Sequence, residues 1–226
     1  MNRSVDVAIV GSGMVGATLG ITLADMGYEV AIIEARAPAP RPRPEPFDLR
    51  VYALSLGSAR FLDTAGVWRH LDSKRFAPFR HMHVWDANSA GEIDFDAEAL
   101  SASTLGYIVE DGALQRAREQ RLDAHPRVHW CRPARLEALD ASKRTIRAHL
   151  DNEVVSARLL VGADGTRSSV RAYAGIAVRH GEYGQRGVVG VVRTEYPHRH
   201  TAWQRFLSGG PLALLPLPDG YGSVVW

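Results

Sequence analysis

The residues best placed to do chemistry come early. Gly11-Ser12-Gly13-Met14-Val15-Gly16 directly follows the apolar run Val5 to Val10 and opens a helical stretch. Each glycine has its use: Gly11 permits a tight turn, Gly13 lets the backbone approach a pyrophosphate, and Gly16 lets helix and strand pack closely. The helix start then offers unpaired N–H groups and a positive dipole end to phosphate oxygens. Glu34 stands 23 residues beyond Gly11, at the end of the next apolar run, where a carboxylate can accept both hydroxyl hydrogens of an adenosine ribose. A carboxylate there repels a 2′-phosphate, so the expected ligand is FAD or NAD and not NADP.

A second candidate is the string from Val161 through Gly162-Ala163-Asp164-Gly165 to Arg171, an acid and a glycine between a strand and a short helix. Asp164 has two readings, a cofactor contact or simply the cap of that helix. His81 and His83 are two apart in a strand pattern, as are His198 and His200, which puts each pair on one face at the spacing of metal ligands. Neither pair has a third ligand nearby in sequence, so no metal is expected. Trp85, Trp203 and Phe206 lie in strand patterns and are core by default. Trp203 and Phe206 are the candidates for lining an apolar substrate pocket, with Gln204 expected to face away from both. Cys131 is the only cysteine; it excludes an intrachain disulfide and is read as a buried, inert thiol.

Gly11 to Glu34, Asp48-Leu49-Arg50, and Asp164-Gly165 with Ser168 and Arg171 together resemble the single-component flavoprotein aromatic hydroxylases typified by para-hydroxybenzoate hydroxylase. A closer resemblance is to the ubiquinone-biosynthesis hydroxylases. It is carried by Leu49-Arg50-Val51-Tyr52-Ala53-Leu54, Gly66-Val67-Trp68, Met82-His83-Val84-Trp85-Asp86, Thr201-Ala202-Trp203-Gln204-Arg205-Phe206 and the run Gly210 to Leu217. The resemblance implies FAD held through Gly11, Gly13, Met14, Val15, Gly16, Glu34, Ala35, Arg50, Gln115, Asp164 and Gly165. It puts Arg50 near the flavin's phosphates and Asp164 near the route of the nicotinamide donor. It further implies NAD(P)H as electron donor, O₂ as co-substrate and the ring of a polyprenylated phenol as the hydroxylated group. The cofactor carries the hard step, so no residue is assigned as general acid or base. Two other readings stay open: a non-catalytic module that keeps the fold to bind protein or lipid in a biosynthetic complex, and a flavin epoxidase or prenyl reductase on the same scaffold.

The elements that must position these residues follow from the hydrophobic pattern. Val5 to Val10, a helix to Met26, and Val30 to Ile33 read as strand, helix, strand with the two strands parallel. In the helix, Val15, Leu19, Thr22, Leu23 and Met26 are expected to form the buried face, with Gly27 ending it. Pro38 to Pro46 holds five of the chain's twelve prolines and reads as an extended linker. Ala53 to Leu71 reads as a helix interrupted near Gly66, and His81 to Asp86 with Glu92 to Asp96 as a hairpin. The α/β pattern is expected to resume with Tyr107 to Glu110, a helix capped by Asp111, and the strand Arg127 to Cys131. A meander follows (Arg135 to Asp140, Thr145 to Leu150, Val154 to Val161, with an Asp151-Asn152 turn), placed to cover the sheet. From Val188 onward four strands form a second block of β structure.

The expected fold is therefore α/β: a Rossmann-like FAD-binding domain with an inserted, mainly antiparallel β substrate domain. The boundaries are 1–76 and 106–180 for the discontinuous FAD-binding domain, and 77–105 and 181–226 for an incomplete substrate-binding domain. The chain stops at Trp226 inside an apolar run, and the family's later Gly-Asp motif is missing, so an amino-terminal fragment is expected. In 226 residues, 27 Lys and Arg against 25 Asp and Glu is too small a surplus to imply nucleic acid. No run of 18 or more apolar residues occurs. The expected location is the cytoplasm, with attachment at the periphery of the inner membrane or in a biosynthetic complex left open.

Overall fold

The computed structural model describes residues 2–37, 47–142, 144–151 and 153–226. In chain order its elements are β1 (Asn2–Val10), α1 (Met14–Asp25), β2 (Val30–Ile33), β3 (Val51–Ser55), α2 (Leu56–Thr64), β4 (Phe76–Phe79), β5 (His81–Asp86), β6 (Glu92–Asp96) and β7 (Gly106–Glu110). There follow α3 (Asp111–Asp123), β8 (Val128–Cys131), β9 (Leu136–Ala141), β10 (Ile146–Leu150), β11 (Val154–Gly162), α4 (Ser169–Tyr173), β12 (Val189–Arg193), β13 (Thr201–Leu207), β14 (Gly210–Pro216) and β15 (Tyr221–Val225). The proline-rich stretch Pro38 to Pro46 and Asn152 lie outside the described residues. The rest divides into two units: residues 2–37, 65–70 and 115–181, and residues 47–64, 71–114 and 182–226.

The first unit is built on a six-stranded sheet in the order β8-β2-β1-β11-β10-β9. β8, β2, β1 and β11 run parallel, and β10 and β9 continue antiparallel from β11. The meander therefore extends the sheet instead of covering it, because β11 pairs with β1 from Asn2↔Val154 to Val10↔Gly162. Val5, Ala8, Val10, Ala31, Ile33 and Cys131 share one core with Ala148, Leu150 and Val155. Burial pushes the Cys131 thiol up to about 12, so it is inert.

The buried face of α1 is not the one expected from side-chain size. Val15 is 74% and Met26 67% exposed, while Gly16, Ala17, Gly20, Ile21 and Ala24 are buried. Small residues win because they let the helix axis approach the sheet: a Cβ on Gly20 would lie 2.6 Å from Ile32 Cδ1. Gly27, at φ +96°, ends the helix as expected.

The second unit holds two sheets. Three short antiparallel strands, β3-β7-β4, form one; β12-β15-β14-β13-β5-β6 form the other, antiparallel except where β13 runs parallel to β5. The β5–β6 hairpin has the expected ends, and its pairing with β13 joins the two sequence blocks of β structure in one sheet. Two expectations fail here. Ala53 to Ser55 is strand, not helix, because Val51 to Ser55 pairs with β7, and the helix shrinks to Leu56–Thr64. Tyr107 to Glu110 does not resume the parallel sheet; it is the centre of the three-stranded one. For that reason residues 47–64, 71–76 and 106–114, which the sequence boundaries put in the FAD-binding domain, cluster with the β unit.

Candidate functional site

Four strands of the first unit, β8, β2, β1 and β11, end together. Gly11 N donates to Ile33 O at 2.8 Å, Ala163 N to Val10 O at 2.7 Å, and Glu34 N to Cys131 O at 3.0 Å. Gly11, at φ +101°, makes the turn out of β1, and a Cβ there would lie 2.3 Å from Ala163 O. A Cβ on Gly16 would meet Gly11 O at 2.0 Å and the Ala163 Cβ at 3.0 Å. These two glycines let the α1 turn nest against the end of β11. Gly13 differs: a Cβ there would meet nothing within 4 Å. It is the N-cap of α1 with no side-chain cap bond, and the first turn holds no acid. The leading amides of α1 thus face open space with the dipole's positive end behind them.

Glu34 closes one side of this space. Its Oε2 accepts from Ser12 N at 2.9 Å and Ser12 Oγ at 2.7 Å, and its Oε1 from Arg36 N at 3.0 Å and Arg36 Nε at 3.2 Å. Burial raises the carboxyl's pKa, but these four bonds outweigh it and hold the group below the ordinary glutamate value, so it is charged at neutral pH. Ser12 and Arg36 were not singled out in the sequence, since the positions between motif glycines and after the acid carry no fixed residue type.

The N-cap of α4 is Ser168, whose Oγ accepts from Arg171 N at 3.0 Å, and Asp164 braces the start of that helix from the loop before it. Its Oδ1 accepts from Ser168 Oγ at 2.6 Å, and its Oδ2 from Ser169 N at 2.6 Å, Ser169 Oγ at 2.9 Å and Val170 N at 3.2 Å. Burial again pushes upward, and these bonds from Ser168, Ser169 and Val170 bring the group below the ordinary aspartate value. The Asp164 side chain thus bonds to Ser168, Ser169 and Val170 without being the N-cap itself, and Gly165, at φ +81°, is exposed beside it. Met14 is half-buried, Val15 and Ala35 are exposed, and Gln115 Nε2 donates to Glu119 Oε1 at 3.1 Å on α3. Arg50 belongs to the second unit, where it is exposed with its guanidinium 5.4 Å from the Tyr52 ring centre.

In the six-stranded sheet of the second unit, Trp203 and Phe206 do not share a pocket. β13 runs without a bulge through both, opposite His83 and Leu214 at Trp203 and opposite Asp86 and Pro211 at Phe206, so residues three apart point to opposite faces. Gln204 accordingly lies on the face of Phe206, not opposite to both. Trp203 packs with Trp85 at 6.2 Å and His83 at 5.5 Å, and at 37% and 45% exposure neither Trp203 nor Phe206 is core. His83 Nδ1 lies 2.6 Å from Asp94 Oδ1. His198 and His200 sit in the turn before β13 and not in a strand, their rings 5.6 Å apart. Among the described residues no group of three or more His, Cys, Asp or Glu is placed to hold a metal ion.

Known proteins match this arrangement. A family profile described as FAD binding domain matches residues 4–216. The chain is 39% identical over its whole length to the 3-demethoxyubiquinol 3-hydroxylase of Escherichia coli, covering 58% of that protein, and 38% identical, again over its whole length, to the ubiquinone hydroxylase UbiL of Rhodospirillum rubrum, covering 52%. It thus spans little more than half the length of these curated relatives. Among solved structures, PqsL of Pseudomonas aeruginosa, a probable FAD-dependent monooxygenase, superposes with TM-score 0.81 at 22% identity, over 99% of this chain and 60% of PqsL.

Proposed function

The chain belongs to the FAD binding domain family, and from that premise we propose that it is the cofactor-holding and ring-recognising part of a flavin monooxygenase that hydroxylates a polyprenylated phenol. The observation that carries the proposal is the cluster of uncapped α1 amides, open space at Gly13 and a charged Glu34 at the end of β2. This donor set suits FAD: a diphosphate against the α1 amides, an adenosine ribose against Glu34, and no room for a 2′-phosphate charge beside that carboxylate. Both Glu34 oxygens already accept two bonds. Ribose hydroxyls would therefore compete at Glu34 with the Ser12 hydroxyl and the Arg36 side chain. The Asp164 carboxylate, bonded to Ser169 N and Val170 N at the start of α4, would fix the exposed Gly165 backbone beside the cofactor. FAD, once bound and reduced by NAD(P)H, supplies the activation of O₂. The six-stranded sheet of the second unit, with Phe206 and Gln204 on one face and Trp203 on the other, carries recognition of the ring. The relatives named as ubiquinone hydroxylases support the phenolic substrate. Among the described residues no helix is long and apolar enough to cross a membrane.

The test is a spectrum of the purified chain after incubation with FAD and desalting, followed by titration. Flavin bands near one per chain, with saturable FAD binding and no retention of NADP, are expected. A colourless chain with no saturable binding overturns the cofactor assignment. For the reaction, product analysis with a prenylated phenol, NAD(P)H and O₂ separates hydroxylation of an aromatic carbon from epoxidation or reduction of the prenyl chain.

A further inference from the structure

The four donors on the Glu34 carboxylate are not equivalent. Ser12, in the turn between β1 and α1, is 7% exposed, and both its amide and its hydroxyl bond Oε2. A hydroxyl pushed off that oxygen would stay buried and lose its partner, which is costly. Arg36 follows Glu34 by two residues in the bend after β2; its backbone amide bonds Oε1 at 3.0 Å and its side-chain Nε bonds the same oxygen at 3.2 Å. The Arg36 side chain is 73% exposed, against 12% for that of Glu34. Released from Oε1, the guanidinium passes into water, where all of its donors stay satisfied. Among the described residues Glu34 is the one carboxylate with which Arg36 pairs.

We propose that the Arg36 side chain is a latch on the ribose-binding carboxylate: it holds Glu34 Oε1 until a ribose hydroxyl displaces it, so this arginine opposes nucleotide binding instead of aiding it. The proposal rests on the reading of Glu34 as the acid that meets the adenosine ribose. The ordinary expectation has the other sign, because a guanidinium beside a diphosphate-binding turn draws an anionic ligand in. Two features decide the sign here. A carboxylate oxygen has two lone-pair sites, and both on Oε1 are taken, one by a backbone amide that cannot withdraw without moving the chain. A ribose hydroxyl therefore enters at the expense of the Arg36 Nε. The pair it breaks is exposed and weak, so a ligand can open the latch. Ser12, Glu34 and Arg36 all belong to the first unit, and the latch is complete within it.

The experiment uses ADP, which carries the diphosphate and the adenosine ribose, and its 2′,3′-dideoxy analogue, which lacks both ribose hydroxyls. Calorimetric titration of the full chain and of Arg36→Ala with each nucleotide gives a cycle of four affinities. Arg36→Ala is expected to bind ADP about threefold more tightly than the parent, the scale of one exposed ion pair, and to gain nothing with the dideoxy analogue. The gain should shrink in about 1 M salt, where the screening length falls to about 3 Å. A readout without nucleotide is the NMR titration of the Glu34 carboxyl. Burial pushes that group up and the Ser12 and Arg36 donors hold it down, so its midpoint should rise in Arg36→Ala. A midpoint that does not move overturns the latch. If the parent prefers ADP to the analogue and Arg36→Ala binds ADP no more tightly, or gains equally with both nucleotides, the latch is overturned and the ribose reading of Glu34 stands. If neither chain binds ADP, or neither tells ADP from the analogue, the ribose reading falls and the latch with it.

Discussion

Glu34 and Asp164 follow β2 and β11, the two strands that flank β1, and each is held charged by hydrogen bonds that outweigh its burial. Their folded pKa values lie below the ordinary ones, so the stability they contribute is fully present above the ordinary carboxylate range and is lost as pH falls through their folded values. Glu110 has the opposite sign: its folded pKa is raised, so its contribution worsens as pH rises from the ordinary value through the folded one. Glu34→Gln with Asp164→Asn should flatten the acid limb of the urea midpoint plotted against pH. An acid limb as steep as the parent's would show that these two groups do not govern it. The two acids themselves were legible from their places after strands. Ser168 was read as part of the same motif, whereas the partners Ser12 and Ser169 were not, because a hydroxyl beside a motif residue leaves no spacing signal of its own.

At the scale of elements, the β1–α1 turn separates two kinds of glycine. A methyl group on Gly16 would press on the Gly11 backbone oxygen at 2.0 Å, so Gly16→Ala should cost about 1–3 kcal/mol in chemical denaturation. Gly13, at φ −62° with nothing near its missing Cβ, should accept alanine within about 1 kcal/mol. On the proposed reading Gly13→Ala is nonetheless expected to weaken FAD in titration, because the methyl group would stand where the diphosphate would approach. Equal stability loss in both variants would contradict the assignment of the open space to a ligand. Strand positions were readable here because a strand's alternation and its turn residues are local: β2 and the β5–β6 hairpin have the predicted ends. The buried face of α1 was misread for the complementary reason. Hydrophobicity favours large residues, whereas close approach to Ile32 requires Gly20.

At the scale of the whole chain, the last passage from the first unit to the second falls between Gly181 and Glu182, in a stretch where every residue from 172 to 189 is exposed. Limited trypsin digestion should therefore cut after Arg179 and Arg186 well before it cuts after Arg118, which is 3% exposed in α3. Early cleavage within α3 would show that the helix opens more readily than its burial implies. The sequence by itself determined the glycine turn after β1, the acid at the end of β2 and the two classes of sheet, because each rests on periodicity or on residue types at short spacing, and the resemblance of its motifs along the chain pointed to the family. Only the tertiary structure decided that the meander extends the parallel sheet, that β7 joins β3 and β4, that Trp203 and Phe206 face apart, and that Glu110 grips Asp48. These depend on which strands pair and in what register. Pairing is chosen by the burial of whole faces across sixty or more residues, and no local pattern encodes it.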